Sequence, residues 1–203
     1  MATIGLDKIY YATITEATTA STGVEIGDET YGTPVALAGA IKADLSVEYS
    51  EGTLYGDDAL KYIIKNFKSG KLSLGIDDIG STAAAALTGA VVDQNKVLVN
   101  SAEDNAPYVA IGFRAKKANG KYRYFWLYRV KFGVPGDSLE TQGDGVKFAT
   151  KTIEGTIMRR NKKSDAATEA HPWKAQVDED EASVGATTIS GWYSAVYEPD
   201  FTA

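Results

Sequence analysis

Between Ile41 and Tyr49 apolar and polar residues alternate without fault. Ile41, Ala43, Leu45, Val47 and Tyr49 fall on one side, and Lys42, Asp44, Ser46 and Glu48 on the other. A period of two with one wet face predicts a half-buried strand of an antiparallel sheet. The same period runs through the heaviest stretch of the chain, Pro107 to Phe132, on both sides of Asn119-Gly120. Asn-Gly is the strongest short-range hairpin signal, because both central residues of a type I′ turn take positive φ. A two-residue turn there places Phe113 opposite Trp126, Ile111 opposite Tyr128, Ala115 opposite Tyr124 and Val109 opposite Val130. The apolar core of this hairpin is then Val109, Ile111, Phe113, Tyr124, Trp126, Tyr128 and Val130, all on one face. The other face reads Lys121, Arg123, Phe125, Leu127, Arg129, Lys131. A face that is apolar in the middle calls for a cover, either a helix of the same chain or a neighbouring subunit.

Leu6–Thr15 reads as a first strand, followed by a Gly/Thr/Ser-rich loop or ragged hairpin over about 16–34. Past Tyr49 the pattern breaks, and 50–59 reads as a polar loop carrying Leu54 and Tyr55 at its tip. Leu60–Phe67 and Lys71–Ile79 flank Ser69-Gly70 as two strands around a tight turn. Ser81–Thr88, with four alanines, predicts a short helix anchored by Leu87, stopped by Gly89 and capped by Ser81 or a nearby Asp. Val91–Val99 predicts a small hairpin around Gln94-Asn95. Loops are expected over about 133–145 and 160–182, with a long strand Val146–Arg160 between them bulged near Thr150–Ile153. The aromatic C-terminal run, Trp192 to Tyr197, has to be bound down somewhere. Nothing along the 203 residues suggests a domain cut.

Composition sharpens this only in places. Twenty-one aromatics among 203 residues, with much Thr and Val, favour β-structure. A formal net charge of −6 opposes a binder that works by neutralising phosphates. Cysteine is absent, which removes disulfide scaffolds and thiolate chemistry. The start lacks a basic and an apolar signal region, and no apolar run approaches membrane-spanning length, so a soluble protein made in the cytoplasm, without membrane insertion, is expected.

Candidate chemistry is sparse. His171 is the sole histidine and has no nucleophile elbow or thiol partner. The pairs Asp57-Asp58 and Asp77-Asp78 read as turn formers rather than a two-acid catalytic site. Asp178–Glu181 lacks the spacing of a calcium loop and reads as a solvated acidic segment. No enzyme, metal site or cofactor is expected.

Several ordered stretches resemble one family. They are Gly5–Ala12, Tyr31–Pro34 leading into Ile41–Glu48, Thr53-Leu54-Tyr55-Gly56-Asp57-Asp58, Ala106–Phe113, Asn119–Tyr128 and Trp192–Pro199. Together they are similar to the major tail (tail tube) proteins of long, non-contractile-tailed bacteriophages. The helix Ser81–Thr88 and the residues beyond Pro199 depart from that pattern. The resemblance implies a mainly β fold, an antiparallel β-sandwich or partly closed barrel with one short flanking helix, similar to the type VI secretion tube protein. It implies hexameric rings of this chain stacking into a virion tail tube around a tape-measure protein, bounded by tail terminator and distal tail proteins. It implies no catalytic residues. On that reading Leu54 and Tyr55 dock ring to ring, while Asp44 and Glu48 line a lumen whose acidic wall lets DNA slide without sticking, with Leu45 and Val47 facing the core. The alternative is a monomeric β-sandwich binding or decoration module of a virion or prophage.

Overall fold

The computed structural model describes residues 2–21, 24–136, 150–164 and 170–200. In chain order the strands are β1 (Thr3–Glu16), β2 (Glu29–Tyr31), β3 (Val35–Ala36), β4 (Ala40–Gly56), β5 (Ala59–Ile76), β6 (Val91–Val92), β7 (Leu98–Val99), β8 (Tyr108–Lys117), β9 (Tyr122–Phe132), β10 (Lys151–Met158) and β11 (Lys174–Asp178). Helix α1 (Ser81–Thr88) lies between β5 and β6, and α2 (Ala186–Ser190) follows β11. Every strand pairing is antiparallel. The main sheet runs β2-β1-β8-β9-β10-β5-β4, with β3 also on β1 and β11 also on β9, and β6 and β7 form a separate small hairpin. The fold is mainly β and sandwich-like, and the described strands do not close into a barrel.

The β8–β9 hairpin forms where Asn119-Gly120 placed it, but one residue out of the expected register. Phe113 pairs with Phe125, Ile111 with Leu127 and Gly112 with Trp126. The turn is of a different type. Gly120 takes φ of +80° while Asn119 does not, the Gly120 N–H bonds the Lys117 carbonyl, and the Lys117 N–H bonds the Lys121 carbonyl. That is a three-residue loop, a type I turn closed by a left-handed glycine, rather than a type I′ turn. Further along, Tyr128 and Arg129 together oppose Ala110, a bulge that returns Val109 to Val130.

The consequence is two cores instead of one. Val109, Ile111, Phe113, Leu127, Val130 and Phe132 join Leu72, Leu74, Ile76, Ile153, Ile157 and Leu87 of α1. Tyr124, Trp126 and Tyr128 face the other way, with Ala12, Ala110, Trp192 and Val196. So the residues expected to share one face are divided, with Val109, Ile111, Phe113 and Val130 in the first cluster and Tyr124, Trp126 and Tyr128 in the second. The first cluster is covered by α1, and the second by the C-terminal aromatic run. Gly112 is required there, because a Cβ would lie 2.8 Å from the Trp126 ring.

Four further expectations are corrected. Ser69-Gly70 is no turn: β5 passes straight through it for 18 residues. The segment 160–182 is not all loop, since β11 lies within it. β10 begins at Lys151 and pairs with β5 without a register break, so there is no bulge near Thr150–Ile153; the part of the expected strand before 150 lies outside the described residues, as does most of 133–145. α1 matches its expected span, ending at Gly89 in the left-handed region. Its N-cap, however, is Gly80, with no side-chain cap bond.

Candidate assembly site

The segment expected to be a loop over 50–59 is the end of a long two-stranded arm. β4 and β5 pair continuously from Ala40↔Ile76 out to Gly56↔Ala59. β10 covers β5 only as far as Gly70. Beyond Glu48↔Ser69 the two strands therefore pair with each other alone, for about 30 Å at the usual rise per residue. Asp57 and Asp58 turn the chain with φ of 54° and 56°, the signature of a type I′ turn, and Asp57 is held by Lys61 at 2.6 Å.

Alternation along this arm hid it from a pattern search, because neither face is uniformly polar. Tyr49, Thr53, Tyr55, Leu60 and Ile63 lie on one face, with Glu51 and Lys65 paired across it at 3.1 Å. Leu54, Tyr62 and Ile64 lie on the other. All seven of the large apolar residues among these are exposed, Tyr55 at 67% and Leu54 at 58%. Leu54 and Tyr55, named together from the sequence, are neighbours on one strand and so point to opposite faces. Near its base the arm is anchored by Phe67, which stacks on Trp173 at 4.8 Å.

Asp44 and Glu48 sit on the solvent face of the same sheet. In register across five strands that face carries Ser46, Lys71, Thr156, Lys131 and Tyr108, with Asp44, Ser73 and Glu154 in the adjacent row. A groove of about 780 Å³ lies over these rows. Its charges are mixed. Asp44 is paired with Lys42 at 2.6 Å, and Glu48 has Lys68 at 3.9 Å. The face on which the resemblance implies an acidic wall thus carries acids and lysines side by side. Leu45 is 37% exposed rather than a core residue, and Ala43 packs on the core instead.

The seven residues assigned to the core of the central hairpin are all buried, in the two clusters described. Asp178–Glu181 is not merely solvated. Asp178 binds Arg123 at 2.7 Å and Lys117 at 3.2 Å, Asp180 binds Lys117 and Asn119, and Glu179 binds Lys121 at 3.1 Å. The basic tip of β8–β9 is thus clamped by β11 and the residues after it. The Arg123 guanidinium hydrogen-bonded to Asp178 holds its carboxyl down at about 2. A second network was not foreseen. Fully buried Glu29 accepts from Arg129 and from the backbone N–H groups of Asn161 (2.9 and 2.8 Å) and Lys162 (2.9 Å), while Arg160 binds Glu198 at 2.7 Å. Nothing in the local sequence around Glu29 marks it for burial.

His171 is half-buried, and its Nδ1 has no hydrogen-bond partner among the described residues. The paired acids are engaged in turns: Asp77 Oδ1 accepts from the N–H groups of Gly39 (2.8 Å) and Asp78 (2.7 Å). Among the described residues no cluster of His, Asp and Glu could hold a metal ion, and no helix is long and apolar enough to cross a membrane. Neither protein-family models nor curated proteins give a match to this chain.

Proposed function

We propose that this chain is a self-assembling structural subunit, a tail-tube protein of a long non-contractile-tailed bacteriophage. The observation that carries the reading is the arm, which leaves Tyr49, Leu54, Tyr55, Leu60, Tyr62, Ile63 and Ile64 in water in the single chain. Exposed apolar area on this scale, concentrated on one projection, is characteristic of a protein–protein contact. The outer edge of β4 adds to it: among the described residues its 17 positions pair on one side only, an edge that a neighbouring copy can complete. The family resemblance turns these features into ring and tube contacts, with a tape-measure protein, tail terminator and distal tail proteins as partners in the virion.

The solvent face around Asp44 and Glu48 is the candidate lumen wall. On this reading DNA slides because carboxylates and lysines alternate there, so that no extended basic strip gathers phosphates. Leu54→Asp and Tyr55→Asp each leave the fold intact and abolish tube formation, since both side chains are exposed and, among the described residues, only Phe67 of the arm packs on the body. Negative-stain microscopy and light scattering of the purified protein test this. Tubes from the double variant at the wild-type concentration remove the arm from the contact. A wild-type protein that stays a monomer at every concentration, including beside its tape-measure partner, removes the self-assembly reading altogether and leaves the monomeric binding module.

A further inference from the structure

We infer that the arm is clasped between two other copies of this chain, one on each face, rather than laid against a single neighbour. The inference rests on the self-assembly reading above and goes further, to how many chains meet at each arm. Ile63 and Ile64 are consecutive and 50% and 62% exposed. Their partners are Thr53 and Gly52, so their side chains leave the ribbon in opposite directions. Tyr55 and Leu60 continue the Ile63 face, and Leu54 and Tyr62 continue the Ile64 face. A ribbon lying on one surface buries one of these faces and leaves the other wet. An isolated two-stranded hairpin is also marginal in water, so a one-sided contact supports it poorly.

The occupant is set by charge and size. The chain carries −6 overall, and copies of it repel. From Glu48 to Lys68, however, there are four carboxylates and three lysines. Asp57–Lys61 and Glu51–Lys65 are closed as ion pairs within the arm, with Glu48 near Lys68. This is the nearly neutral surface on which like-charged copies can meet. Its length of 21 residues falls at the low end of the roughly 20–30 residues that one side of a standard interface contributes. An isologous arm-to-arm dimer covers one face only, so covering both carries association past the dimer.

The test is substitution of the two isoleucines one at a time. Ile63→Asp and Ile64→Asp are each expected to raise the concentration needed for assembly about tenfold or more, because each places an unpaired carboxylate in an apolar contact. Circular dichroism and tryptophan fluorescence verify that each remains folded. Because the chain has no cysteine, Thr53→Cys and Asn66→Cys give a second, milder readout on opposite faces. Both thiols are expected to react with a maleimide much more slowly in assembled than in unassembled protein. If one isoleucine variant assembles like the wild type, or one thiol keeps its unassembled reactivity, the arm is covered on one side and the inference fails while self-assembly stands. Failure of the wild type to assemble overturns the reading beneath both.

Discussion

Single residues decide how the sheet of this protein is put together. Gly155 faces the main core where a Cβ would sit 2.7 Å from Val130 and 2.8 Å from Phe132, so a large ring and a strand crossing share one space. Glu29 works electrostatically. Its buried carboxylate joins β2 to Arg129 of β9 and to the backbone after β10, three segments far apart in the chain. Removing it leaves Arg129, which keeps Glu16 at 2.6 Å, with one buried charge contact fewer and two N–H groups without their acceptor. Glu29→Ala is therefore expected to destabilise the fold by about 3–5 kcal/mol, the usual cost of breaking a buried pair by deleting one partner. Urea denaturation followed by tryptophan fluorescence reads this directly; a loss under about 1 kcal/mol contradicts the role given to Glu29.

At the scale of elements, the tip of β8–β9 is secured by charge and its body by aromatic packing. Asp178 lies well below the ordinary carboxylate value of 3.8 because Arg123, and then Lys117, hydrogen-bond its charged form. A depressed carboxylate stabilises the folded state above its unfolded pKa, and that contribution is lost as pH falls from about 4 towards 2. Asp178→Asn is thus expected to lower Tm by a few degrees at pH 6, with the gap to the wild type closing by pH 2. A gap that is the same at both pH values means the clamp does not act through charge. The sequence made the hairpin visible but not its register. Asn-Gly serves both a two-residue and a three-residue turn, and which one forms depends on whether Trp126 can lie across Gly112 and against Trp192. That choice is made by the C-terminal segment, 66 residues away from Trp126.

On the scale of the whole molecule, a body with two cores carries an arm that touches them, among the described residues, only through Phe67 at its base. Replacing Tyr49–Lys68 by Asn-Gly, so that Glu48 joins Ser69 through a tight turn, is expected to leave a folded monomer with Tm within a few degrees of the wild type. Size-exclusion with light scattering and a thermal melt check both halves. A truncated chain that fails to fold shows that the arm supports its own body; one that still forms tubes shows that assembly runs through other surfaces. β11 is the counterpart case. Its run Lys-Ala-Gln-Val-Asp has weak strand character, and its pairing is supported by Arg123 and Lys117, which both hold its one acid, Asp178.

The sequence by itself determined what depends on neighbours along the chain: the alternation of Ile41–Tyr49, the turn at Asn119-Gly120, and the alanine helix with Leu87 beneath it. It also determined that the C-terminal aromatics need a place to dock. The tertiary structure alone decided what depends on distant partners. That includes the register of the central hairpin, the division of its side chains between two cores, the burial of Glu29, and the continuation of β4 and β5 into an arm. Alternation reports a strand only when one face is dry and the other wet. A ribbon wet on both faces, and apolar on both, carries no such signal until its backbone pairing is seen.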